Sequence, residues 1–400
     1  MDKREIQKKL NGINWNFDFT INYGEGVLHP FNCRKYYSYP ATFIPEIPFA
    51  LIEILSQKGD VVLDPFGGIG TTFMQALSLE RISFSYDINP VATTVCNTLY
   101  ELFSPSLNLN DIKEELLNKC EEYDEMIDYS LRLSPLRQQL SGWFEKKTFN
   151  QMAYLFQQYD QCVDHIIHDT MKLVLLSILV TLSSQNKGWA YIADNVKPKE
   201  DEFRQKQVFD QYRVSVKTLL DDIYTHKQSL PRTFDDFYQE LASVRRVFQD
   251  SFDNTEMNSE SVDLVITSPP YPKMIDYVKS QRLSFGFLDE RFDDYASEEI
   301  GARYRRNRRD SLEAYESSVK DINNKIYNVV KKNGFVCVVL PDYDSTDSRK
   351  SVIDKVVLNY RELGMTKVYE TGRYIPSHKR TLSIQWATLV NERIYVFQKE

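Results

Sequence analysis

Two short segments far apart in the chain carry residue types that could bind a nucleoside and set a hydroxyl and an aromatic ring beside it. The first is Asp64-Pro65-Phe66-Gly67-Gly68-Ile69-Gly70-Thr71-Thr72, a glycine-rich turn entered from the apolar run Val61-Val62-Leu63. Glycines let the backbone approach a ligand closely, and the helix predicted over 73–79 begins with free N–H groups that suit an anion. Asp87 falls 23 positions beyond Asp64, where the second strand of a βαβ unit would deliver a carboxylate to both hydroxyls of a ribose. The second segment is Ser268-Pro269-Pro270-Tyr271, which ends the apolar run from Val262 to Ile266. Prolines stop a strand and stiffen the turn that follows. Open α/β sheets place ligands at the carboxyl ends of their strands, so Ser268 and Tyr271 are expected to share a crevice with residues 68–72. In isolation the first segment also reads as a generic phosphate or dinucleotide loop and the second as a proline-rich surface turn. The chain has no Walker-type Gly-Lys-Ser/Thr at the loop, which disfavours nucleoside triphosphate chemistry, and the glycine spacing departs from the dinucleotide pattern.

The elements needed to position these segments are visible as strand-sized apolar runs at 61–63, 82–84, 247–248, 262–266, 335–340, 367–369 and 394–397. A helical pattern runs through Leu312, Tyr315, Val319, Ile322, Ile326 and Val329, with Asn333-Gly334 predicted to stop it before the strand at Phe335. Alternating strand and helix implies a parallel sheet covered by helices. Residues 99–244 differ: helical spacing such as Ile112, Leu116, Leu117 and Cys120 dominates, with few strand-like runs. The expectation is an α/β fold with a large, mainly helical insertion, divided into a cofactor-binding part at 1–98, the insertion at 99–244 and a catalytic part at 245–400.

Composition sets outer bounds. Apolar residues make up 42% of the 400 and aromatics 13%, enough for a full core. The five cysteines lack paired metal or redox spacing, which reads as a reduced, cytoplasmic chain. Cys162, His165 and His168 fall on one helical face, but with no fourth ligand nearby, no metal is expected. No secretory leader is apparent, and the apolar stretch Met171–Leu182 is too short to span a bilayer, so no membrane role is expected. A net charge of −8 argues against a uniformly basic, nucleic-acid-coating surface. Positive charge is nevertheless concentrated at Arg303, Arg305, Arg306, Arg308 and Arg309 and again at Arg373, His378, Lys379 and Arg380, either as solvated loops or as contacts to phosphate.

The loop Asp64-Pro-Phe-Gly-Gly-Ile-Gly-Thr-Thr and the tetrapeptide Ser268-Pro-Pro-Tyr271 together resemble the first and catalytic motifs of amino-methylating DNA methyltransferases. Tyr39-Pro40-Ala41-Thr42-Phe43-Ile44-Pro45-Glu46 resembles that family's other cofactor segment, and Val247–Ser251 resembles its third strand with an acidic end. The resemblance covers about 36–98 and 245–400. It implies a Rossmann-like class I methyltransferase sheet that binds S-adenosylmethionine. Asp64, Gly68, Gly70 and Thr71 would then lie along the methionine part, with Phe43 and Phe66 packed near it. Asp87 would hold the ribose, Ile88 would lie against adenine and Asp250 would receive the adenine amine. The family pattern departs in one respect: the insertion falls between the second and third strands, earlier than in members with a central target-recognition domain, which puts in doubt whether 99–244 reads DNA sequence.

What the resemblance implies chemically is transfer to an exocyclic amine, whose lone pair is delocalised and which needs orientation more than a strong base. Ser268 and the Pro269 carbonyl would accept the amine's hydrogens, Pro270 would stiffen the turn, and Tyr271 would stack on the base. The base would be flipped out of a duplex at a cost of a few kcal/mol. Serine at 268 favours cytosine N4 over adenine N6, and no cysteine follows a proline, which disfavours ring-carbon methylation. Double-stranded DNA is the expected partner, with Arg305, Arg306, Arg308, Arg309, Lys379 and Arg380 as contacts, within a restriction-modification or related defence system that can include a cognate endonuclease. Alternatives are an RNA or protein amine acceptor, or a silent nucleic-acid-binding module.

Overall fold

The computed structural model describes residues 3–17, 27–40, 42, 44–185, 197–241, 244, 246–302, 310–375 and 391–400. After α1 (Lys3–Asn11) and α2 (Glu46–Leu55), the chain alternates through β1 (Val61–Asp64), α3 (Thr71–Ser78), β2 (Ile82–Asp87) and α4 (Pro90–Leu102). A helical run follows: α5 (Leu109–Asn118), α6 (Pro135–Gln139), α7 (Lys146–Asp160), α8 (His165–Leu182), α9 (Val208–Lys227) and α10 (Phe234–Leu241). The sheet resumes with β3 (Val247–Gln249) and β4 (Val262–Thr267), then α11 (Arg282–Phe287), α12 (Phe292–Ala296) and α13 (Ser311–Val329), and closes with β5 (Val330–Pro341), α14 (Ser348–Glu362), β6 (Met365–Tyr374) and β7 (Asn391–Lys399). Each apolar run read as a strand is one.

The seven strands form one sheet in the order β3-β2-β1-β4-β5-β7-β6. The first five are mutually parallel, and β7 is antiparallel to both β5 and β6. This is the expected Rossmann-like sheet. Period-two alternation on the inner strands explains why both faces are covered. Cys337 and Val339 of β5 and Ile394 and Val396 of β7 pack with α1 and α2, whereas Val336, Val338, Leu340, Tyr395 and Phe397 pack under α13 and α14. The order reverses between β1 and β4, so their carboxyl ends flank the switch point where such sheets bind ligands.

Asn333-Gly334 does not end a helix. α13 stops at Val329, and the pair lies inside β5, where Val262 pairs with Val330 but Leu264 pairs with Phe335. Extra residues are accommodated as a bulge, with Asn333 in the left-handed region at φ 66°. The turn-like dipeptide reads the same in both settings.

The helices between β2 and β3 share a continuous apolar core with α3 and α4, drawing together Phe73, Val95, Leu99, Phe156, Leu175 and Tyr212. The helix α8 has the length and apolarity to cross a membrane. Its Met171, Leu173, Leu175 and Leu179 are instead buried in that core. The side chains at Cys162, His165 and His168 do not converge. His165 faces Glu101 and Asp169, and the Asp169 carboxylate also takes Lys172 and His168.

Candidate functional site

Buried Asp64 organises the turn after β1. Its carboxylate accepts hydrogen bonds from Thr72 Oγ1 (2.7 Å), Thr267 Oγ1 (2.8 Å) and the Phe66 N–H (3.0 Å), tying the loop, the start of α3 and the end of β4 to one point. Burial pushes its pKa up to about 6 against these three donors. Asp64 therefore stands behind the loop and does not line the cavity. Gly70, at φ 86°, caps α3 and likewise stands behind it: a Cβ there would lie 2.4 Å from Cys96 Sγ. At Gly67 a Cβ would fall 1.8 Å from Ser85 Oγ on β2, so only glycine lets the loop lie this close to the neighbouring strand.

In front of the loop is an open cleft of about 880 Å³. Phe66, Gly68, Thr71, Asp87, Ile88 and Asp250 line it, and so do Ser268 and Pro270 from the far side. Six of the residues expected to face a cofactor thus meet two of the acceptor tetrapeptide in one cavity, although 19 positions separate Gly68 from Asp87 and far more separate either from Ser268. Asp87 is fixed by the N–H groups of Gly68 (2.9 Å) and Asn89 (2.8 Å), one on each carboxylate oxygen. Burial raises its pKa to about 6, opposed by those two bonds. Each oxygen keeps a lone pair for a hydroxyl. Asn89 then caps α4, accepting from Val91 N, with Pro90 in the first turn. Asp250 is exposed at the rim after β3. Phe43 lies outside the described residues.

The tetrapeptide leaves β4 as expected. Ser268 faces the cleft, Pro269 is buried, and Tyr271 is only 7% exposed, behind the wall and not on it. Ser268 Oγ is 3.3 Å from both Val339 O and Tyr271 Oη, and Tyr271 Oη donates to Glu392 Oε1 at 2.9 Å. Glu392 is held in turn by Arg373, at 3.1 Å across the β6–β7 pair. Desolvation and the neighbouring carboxylate keep the Tyr271 phenol protonated far into the alkaline range.

Three features in and behind the cleft were not expected from sequence. Tyr277 precedes α11 on an irregular stretch, lines the cleft and stacks on Tyr39 with ring centroids 6.2 Å apart. Tyr39, from the segment expected to face the cofactor, also lines the cleft, with its ring above Gly68. Glu299, in the connection between α12 and α13, accepts from the Tyr277 N–H (2.6 Å) and the Val278 N–H (3.4 Å) and so holds that stretch in place. Arg373, read with the basic cluster facing DNA, is instead buried against Glu392, because its register position opposite Glu392 turns it into the sheet. Arg305, Arg306, Arg308, Arg309, Lys379 and Arg380 lie outside the described residues.

The arrangement can hold a nucleoside-bearing ligand against Gly68 and Asp87 and present a second, planar ligand to Ser268. Comparison with known proteins points the same way. The family model described as DNA methylase, of the N6/N4 type, matches residues 8–97. The type II methyltransferase M.BsoBI of Geobacillus stearothermophilus is 28% identical over 273 residues, which is 62% of this chain and 51% of that protein. M.MvaI of Kocuria varians, also a type II methyltransferase, is 23% identical over 309 residues, 72% of this chain and 64% of its own. M.MjaI of Methanocaldococcus jannaschii, another, reaches 44% over 66 residues, 16% of this chain and 20% of its own. The chain thus spans about half to just under two thirds of the length of the first two relatives. With its sheet order, its glycine loop and its Ser-Pro-Pro-Tyr turn on one cleft, the chain is similar to the N6/N4 DNA methylases that the family model describes over residues 8–97 and to the type II methyltransferases named above.

Proposed function

We propose that this protein is an S-adenosylmethionine-dependent DNA methyltransferase that modifies an exocyclic amine, cytosine N4 in preference to adenine N6, in a restriction-modification or related defence system, a reading supported by relatives named type II methyltransferases. The observation that carries the reading is the opening of Ser268 onto the same cleft as Gly68 and Asp87. The cleft fits the cofactor in kind: a carboxylate with free lone pairs for ribose hydroxyls at Asp87, apolar flanks at Phe66 and Ile88, and Tyr39 over the glycine turn. S-adenosylmethionine bound there supplies an electrophilic methyl group.

The chain's own part is orientation. The Ser268 hydroxyl and the Pro269 carbonyl accept the hydrogens of the acceptor amine, so that its nitrogen can pyramidalise and point its lone pair into the cleft. The base is flipped out of the duplex at a cost of a few kcal/mol; Tyr271, expected to stack on it, instead lies behind the wall and supports Ser268 through its hydroxyl. The basic segments around Arg305–Arg309 and Lys379–Arg380 contact the duplex phosphates. Labelled-methyl transfer to duplex DNA, RNA and protein tests the acceptor class. Label in duplex DNA supports the reading, and label confined to RNA or protein overturns it.

A further inference from the structure

The acceptor turn lacks a base of its own. Ser268, where a carboxylate could have stood, has no affinity for a proton at neutral pH, yet an amine nitrogen that has gained a methyl group carries one proton in excess. From Ser268 a line of hydroxyls leads away from the cleft. Ser268 Oγ is within 3.3 Å of Tyr271 Oη, and Tyr271 Oη donates at 2.9 Å to Glu392 Oε1. Of these three residues Ser268 lines the cleft, while Tyr271 and Glu392 are buried behind it. Ser268 Oγ also lies 3.3 Å from Val339 O; with its single proton turned to Tyr271, both hydroxyls donate toward the carboxylate.

We infer that Glu392 is the proton-accepting end of a relay that begins at Ser268 and passes through the Tyr271 hydroxyl. This rests on the amine-acceptor reading above and adds to it where the proton goes. The surplus N–H bond breaks as the proton passes to Ser268 Oγ. The serine's own hydroxyl proton moves to Tyr271 Oη, and the tyrosine's proton moves to Glu392 Oε1. The nitrogen is left neutral, both hydroxyls are restored, and Glu392 becomes a carboxylic acid that returns its proton to water once the product has left.

The surroundings of Glu392 suit this. A buried carboxylate is costly unless paired. Here Arg373 supplies the pair at 3.1 Å, on the facing strand. Desolvation outweighs the Arg373 charge and the Tyr271 bond, raising the Glu392 pKa above the usual carboxylate range and making it a better acceptor. Arg373 and Glu392 are direct cross-strand partners on β6 and β7, so the last two strands supply the end of the relay. Glu392 acts through Tyr271 and is a positioning residue.

The test uses Glu392→Gln, Tyr271→Phe and the double variant in single-turnover methyl transfer to duplex DNA, with cofactor affinity measured separately. Each single variant is expected to lose on the order of 10²-fold in rate with cofactor affinity unchanged, and the double variant to be no slower than the slower single, as for one proton path. Tyr271→Phe keeps the ring and the Glu392–Arg373 pair, so it serves if the glutamine variant misfolds. Infrared difference spectra should show a protonated carboxyl after one turnover of the wild type and none in Glu392→Gln. A glutamine variant at the wild-type rate, losses that multiply in the double variant, or no carboxyl signal in the wild type overturns the relay. Wild type that labels no DNA fails the acceptor reading instead, so the two failures are separate.

Discussion

The wall of the cleft that carries Gly67, Gly68 and Asp87 is made mainly from one stretch, residues 65–89, much of it backbone, joined by Tyr39 and Asp250. Asp87 is fixed by two main-chain N–H groups, and the loop nests against Ser85 where no Cβ would fit. The opposite wall is made from Ser268, Pro270 and Tyr277, the last held by Glu299, and is backed by buried side chains from distant parts of the chain: Tyr271 after β4 and Glu392 and Arg373 on β7 and β6. A backbone-built wall is rigid and tolerant of changes elsewhere; a side-chain network fails at any one of its members. Cofactor binding and methyl transfer should therefore be separable by mutation.

Gly67→Ala should give the largest effect. Its Cβ would meet Ser85 Oγ at 1.8 Å on a buried strand, and overpacking of this kind costs about 1–3 kcal/mol or more. The thermal midpoint should fall and cofactor binding, followed by calorimetry, should be lost. Adding Ser85→Gly should recover part of both; no recovery would mean the loop is not set by that contact. Ser268→Ala comes next, on the other wall. Transfer should slow on the order of 10²-fold while cofactor affinity stays within about twofold. Comparable losses in both would break the division between the walls. Asp87→Asn should weaken cofactor binding by roughly 10- to 100-fold, the worth of hydrogen bonds to a charged group at about 1.5–3 kcal/mol, with little change in rate at saturating cofactor.

The smallest effect is the dependence on pH. The Asp87 pKa of about 6 means that the carboxylate is lost as pH falls through 6, so cofactor affinity should drop about tenfold per unit below it. Asp87→Asn should remove that slope. Folding stability moves the other way. Asp64 and Asp87 both have pKa values raised to about 6 from 3.8, so the folded state holds protons more tightly than the unfolded one. Their contribution to stability is fully present below about 3.8 and is lost as pH rises through about 6. Thermal melts of the cofactor-free protein and of the variants Asp64→Asn and Asp87→Asn between pH 4 and 7, roughly that window, check the sign.

The same contrast governs what could be read in advance. Strand-sized runs, the glycine turn and the Pro-Pro stop are local signals, so the sheet and the meeting of residues 68–87 with Ser268 were legible. Contacts that depend on register were not. Nothing near Arg373 in sequence shows that it faces Glu392, and a basic cluster looks the same whether its first member is buried or solvated. Tyr277 is as aromatic in a cleft as in a core, and Asp64 before a glycine turn looks the same tied to Thr72 and Thr267 as facing a ligand. Asn333-Gly334 has turn chemistry that serves a strand bulge as readily as a helix end.

In the proposed function the two walls bring a methyl donor to an exocyclic amine of DNA. Nucleoside mass spectrometry of duplex DNA after reaction with the protein and S-adenosylmethionine tests it most directly. N4-methylcytosine is the predicted product, N6-methyladenine would move the target within the same chemistry, and 5-methylcytosine or unmodified DNA would contradict the account.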